Sequence, residues 1–100
     1  MQVFTLLVET GRAPDDGLPE GATGAALLCY AAAKDEATAV RETVEVLKVA
    51  GLSPLEVQSY GARAEREEAG EDISEDDAAL MDRALAENAV IVAQATPFYD

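Results

Sequence analysis

Residues 24–60, GAALLCYAAAKDEATAVRETVEVLKVAGLSPLEVQSY, read as strand, helix and strand in one unbroken run, and this run sets the fold class. The ten residues 24–33 carry no charge, which suits a strand covered on both faces. Asp35 is placed to cap a helix, and Glu36 favours the positive end of its dipole. From there Ala37, Val40, Val44 and Leu47 fall at helical spacing and predict one apolar stripe, with Arg41, Glu42, Glu45 and Lys48 opposite. Gly51 supplies the left-handed residue that ends the helix, and Pro54 keeps it from resuming. Beyond it the chain alternates: Leu55, Val57 and Ser59 point one way, and Glu56, Gln58 and Tyr60 the other.

Working outward, Ser74-Glu75-Asp76-Asp77 reads as the cap of a second helix carrying Ala78, Leu80, Met81, Ala84 and Leu85, with Asn88 as its terminator. Residues 2–9 form a strand before the run and residues 89–95 one after it, with Pro97 confining the latter to an edge or an end. The predicted fold is a single α+β domain over residues 1–100. It is a two-layer sandwich of four mainly antiparallel strands with two helices on one side, in the general style of ferredoxin-like domains. The order strand, strand, helix, strand, helix, strand departs from the regular alternation of that style, so topology follows less directly than class.

One hundred residues support one small domain. Of the 49% hydrophobic residues 20 are alanine, which predicts a thin core, because alanine removes less apolar area from water than leucine does. Added burial through self-association would help such a chain, and a homo-oligomer, with a dimer favoured, is the expectation. A lone Cys29 excludes an internal disulfide. No apolar run approaches the roughly 20 residues that cross a bilayer, and a cytoplasmic protein without membrane contact is expected.

The net charge of −13 disfavours nucleic acid, whose readers need a basic stripe. Acid concentrates in residues 65–77, where Glu65, Glu67, Glu68, Glu71, Asp72, Glu75, Asp76 and Asp77 meet one Arg66. The plain reading of this segment is a solvated connector. Its spacing does not match a calcium loop, so no metal is expected. Docking on a basic protein through Glu65, Glu67, Glu68, Glu71 and Asp72 is a second reading, and adaptation to a salty cytoplasm a third.

The chain has no histidine, which rules out a serine triad and leaves Cys29, in an apolar strand, without an activating base. No glycine pattern matches a phosphate or dinucleotide loop, and residues 10–23 read as an exposed connection. No catalytic residue and no cofactor are assigned. What remains is the sheet face that the alternation turns away from the helices. With Phe4, Leu6, Val8, Leu27, Cys29, Ala31, Leu55, Val57, Ile91 and Ala93 facing them, the other face carries Val3, Thr5, Leu7, Leu28, Tyr30, Gln58, Tyr60, Val90, Val92 and Gln94. That face is too apolar for water and predicts a second copy, a ligand or an intramolecular cover such as the 98–99 tail or the 10–23 loop. The leading expectation is a non-enzymatic module that self-associates there and holds a small molecule or peptide at Thr5, Leu7, Leu28, Tyr30, Gln58, Tyr60, Val92 and Gln94. An acidic inhibitor of a basic partner is the alternative, and a small tyrosine–carboxylate enzyme the third.

Overall fold

The computed structural model describes residues 1–99. The chain forms β1 (Gln2–Gly11), β2 (Gly24–Ala33), α1 (Glu36–Val49), β3 (Ser53–Ala62), α2 (Arg63–Glu68), α3 (Glu75–Glu87) and β4 (Val90–Phe98). The strands make one open sheet in the order β3-β1-β2-β4, and every neighbouring pair is antiparallel. The fold is therefore an α+β sandwich built on the 24–60 run. Its centre is the β1–β2 hairpin, in register from Gln2 opposite Ala33 to Thr10 opposite Ala25.

Helix α1 starts where Asp35 accepts from the amide of Thr38 at 2.8 Å. It stops at Gly51, where a φ of +89° lets the amides of Gly51 and Leu52 close onto the carbonyls of Lys48 and Leu47. Its packing stripe is shifted from the expected one. Ala39, Thr43 and Leu47 are buried with Val40 packed beside them, and Ala37 is exposed. The helical period holds and the phase differs, because the small residues Ala39 and Thr43 let the helix approach the sheet closely. Opposite them lie Phe4, Leu6, Val8, Leu27, Cys29 and Ala31, as the alternation of β1 and β2 requires.

The residues between these, Val3 and Tyr30, point to the other face, where they cluster with Met81 and Ala84 of α3. An intramolecular cover thus exists on this face, and it is α3, not the tail or the 10–23 loop. Ser74 caps α3 by accepting from the amide of Asp77 at 3.1 Å. Asn88 ends it in the left-handed region at φ 50°, with the amides of Asn88 and Ala89 bonded to Leu85 and Ala84.

Three local expectations are corrected. In β4, Val90 lies opposite Ala31 and Val92 opposite Cys29, so both face α1, whereas Ile91 lies opposite Tyr30. A bulge at Ala93 then returns Gln94 to the α3 face opposite Leu28; an extra residue of this kind reverses alternation and leaves no sequence signature. Residues 65–68, expected to begin a solvated connector over 65–77, are helical as part of α2, because arginines at 63 and 66 tie that helix to the body. The 10–23 connection is organised too. Asp16 accepts from Arg12 and from the amides of Ala13 and Leu18, while Arg12 also donates to the carbonyls of Pro19 and Ala22.

Candidate functional site

The sheet face under α3 becomes a pocket through one irregularity in β3. Between the pairs Phe4–Ala62 and Leu6–Ser59 the register slips, so Tyr60 and Gly61 together oppose Thr5. Gly61 sits at φ +90°, a conformation costly for any residue with a side chain. The kink leads straight into α2, whose Glu65 reaches back to the amide of Ala62 at 3.1 Å and satisfies one free donor of the first turn.

One turn further on, Arg66 lies over the sheet and donates from Nη1 to Thr5 Oγ1 at 2.9 Å. Its Nε meets Glu71 Oε1 at 3.3 Å, and the Arg66 side chain is only 18% exposed against 50% for Glu71. Arg63, on the same side of α2, pairs with Asp82 of α3 at 2.7 Å and with Glu67 at 3.2 Å, locking the two helices together. Asp77, from the first turn of α3, accepts from Ser74 Oγ at 2.9 Å and closes the pocket beside Tyr30.

The result is a cavity of about 220 Å³ lined by Thr5, Leu28, Tyr30, Tyr60, Arg66, Glu71 and Asp77. Thr5 and Tyr30 form its buried floor, and Tyr60, 46% exposed, stands at its mouth. Burial pushes the Tyr30 phenol pKa up, and the Asp77 carboxylate beside it adds to the rise while Arg66 opposes it. Tyr30 therefore holds its proton at neutral pH and acts as a hydrogen-bond donor. Burial also pushes the Cys29 thiol up to about 11, which fits the inert role read from its strand position. Among the described residues no group of three His, Cys, Asp or Glu side chains is placed to hold a metal ion.

Four of the eight residues expected at a ligand or interface site, Thr5, Leu28, Tyr30 and Tyr60, line this pocket. Leu7 and Gln58 continue the same face and, with Glu9 and Glu56, line a smaller depression of about 150 Å³. Gln94 lies opposite Leu28, while Val92 is turned to the α1 face. Of the five acidic residues offered to a partner, Glu65 caps α2, Glu67 pairs with Arg63 and Glu71 with Arg66. Glu68 and Asp72 are exposed. The residues that sequence reasoning missed are Arg66 and Asp77 in their pocket roles. One signal was present, since Arg63 and Arg66 are three apart and therefore share a helix side in an otherwise acidic stretch.

No helix is long and apolar enough to cross a membrane among the described residues. No curated protein and no solved structure matches the chain. A family model described as a domain of unknown function (DUF8846) matches residues 3–99, nearly the full length whose strands and helices build this pocket, and the chain belongs to that family.

Proposed function

We propose that the protein is a non-enzymatic binding module whose Tyr60–Arg66 pocket takes the carboxylate end of a small molecule or peptide. The observation that carries this reading is the state of Arg66. It is the pocket's one cation, largely buried and aimed by Thr5, and it is balanced by a half-exposed Glu71 at the long distance of 3.3 Å. Glu71 belongs to no helix or strand, so it can leave. An incoming carboxylate that takes its place keeps the charge of the pocket unchanged and gains the donors of Arg66, with Tyr60 and Leu28 against its apolar body. At about 220 Å³ the cavity is smaller than the roughly 300 Å³ at which drug-sized compounds are enclosed, so the ligand is compact or only its end enters.

Calorimetric titration at low ionic strength with benzoate, beside benzylammonium, tests this. Benzoate binds the native chain; Glu71→Gln binds it several-fold more tightly, and Arg66→Gln loses about tenfold or more of the affinity. Binding of benzylammonium in place of benzoate, or of neither, contradicts the proposal.

A second reading rests on the exposed carboxylates of Glu68, Asp72, Glu75 and Asp76. They suit docking of a basic protein, and such a complex would dissociate as salt rises. A complex with a basic protein that persists at high salt runs against it.

A further inference from the structure

We propose, resting on the carboxylate reading of the Arg66 pocket, that its ligand is a free α-amino acid with an apolar side chain, held by its carboxylate on Arg66 and by its ammonium on Asp77. The pocket offers charges of both signs. Arg66 comes from α2 and Asp77 from the first turn of α3, and both line the cavity over the floor of Thr5 and Tyr30. Asp77 Oδ2 accepts from Ser74 Oγ at 2.9 Å, but no lysine or arginine among the described residues forms an ion pair with this carboxylate. Beyond the effect of burial, Asp77 raises the pKa of the Tyr30 phenol and Arg66 lowers it, so the two charges bear on one hydroxyl and stand near each other. Groups that share one hydroxyl suit a ligand whose own charges are a single carbon apart, not one that carries them at the ends of a long chain.

Charge balance selects such a ligand over a plain carboxylate. A bare carboxylate in place of Glu71 leaves the pocket with one net negative charge and Asp77 unanswered, whereas a zwitterion also brings the cation that neutralises it. A peptide C-terminus carries an uncharged amide where the ammonium would stand, so a free amino acid fits better than a peptide end. The rest of the lining, Leu28 and the half-exposed Tyr60, holds no charge for a side chain to meet, which favours an apolar one.

Calorimetric titration at neutral pH with L-phenylalanine, 3-phenylpropanoate and N-acetyl-L-phenylalanine tests this, because all three share the ring and the carboxylate and only the first carries an ammonium. Phenylalanine is expected to bind the native chain about tenfold or more tighter than the other two. Asp77→Asn, checked for an unchanged circular dichroism spectrum, should erase that preference, and Arg66→Gln should weaken binding of all three. The comparison of ligands on the native chain stands even if the Asp77 variant does not fold. Binding of 3-phenylpropanoate or of the N-acetyl compound as tight as that of phenylalanine overturns this inference and leaves the carboxylate reading in place. A preference for phenylalanine that survives in Asp77→Asn also overturns it. Binding of none of the three overturns both.

Discussion

Thr43 is the residue at which this fold gives up stability most plainly. Its side chain is fully buried under α1, and its hydroxyl has no hydrogen-bond partner. An unpaired buried hydroxyl costs on the order of 1 kcal/mol or more, and valine keeps the same shape without it. Thr43→Val should raise the unfolding free energy by about 1 kcal/mol in urea titration; a loss of stability would mean that the hydroxyl is satisfied in solution. Asp16 shows the opposite economy, with its carboxylate used by Arg12 and two backbone amides. The amide of Ala13, then that of Leu18, holds its pKa below the ordinary 3.8 while desolvation opposes them. A carboxylate with a lowered folded pKa contributes stability that is complete above its unfolded value and disappears as the pH falls through the folded one. Asp16→Asn should therefore melt lower than the native chain at neutral pH, with the difference closing as the pH drops below about 4. A gap that is constant with pH would assign the loop's stability elsewhere. Residue chemistry of this sort was legible where it was local, as with Asp35 and Ser74 at their caps, and illegible at Asp16, whose partners are fixed by the path of a loop.

At the scale of elements, start and stop signals were read well because capping is written in a few adjacent residues. Ser74 and Asn88 bound α3 as expected, and Gly51 ends α1. Asn88 tests this, because alanine in the left-handed region costs about 1 to 2 kcal/mol and asparagine tolerates it. Asn88→Ala should lower the melting temperature by several degrees, at about 4 to 8 °C per kcal/mol for a domain of this size, and Asn88→Gly should not. Equal melting of both variants would mean that the helix ends elsewhere. What adjacent residues do not encode is tertiary: the phase of α1, the bulges at Ala93 and Gly61, and the face that α3 chooses. A thin stripe with Met81 and Ala84 as its only buried residues suits either side of a sheet, and the demand of Tyr30 and Val3 for cover decides the matter. The short helix α2 was hidden for a similar reason, since its anchors Arg63 and Arg66 act on Asp82 and Thr5, distant in sequence.

For the whole molecule, composition foretold the character of the core. Eight of the seventeen buried apolar residues are alanine, so burial per residue is modest and the body relies on close approach of its layers. The half of the candidate site that lies on strands was legible, because alternation placed Thr5, Leu28, Tyr30 and Tyr60 on one face. The charged half was not, because Arg66, Glu71 and Asp77 arrive there only once α2 and α3 have folded over that face. The central claim is that this junction of sheet and helices is a carboxylate-binding pocket. The most direct measurement is a titration of isotope-labelled protein with benzoate, followed by nuclear magnetic resonance at each backbone amide and at Arg66 Nε. Saturable shifts confined to Thr5, Leu28, Tyr60, Arg66 and Glu71, and absent in Arg66→Gln, are the predicted result. Shifts that fail to saturate, that spread over the surface, or that survive in Arg66→Gln would contradict it.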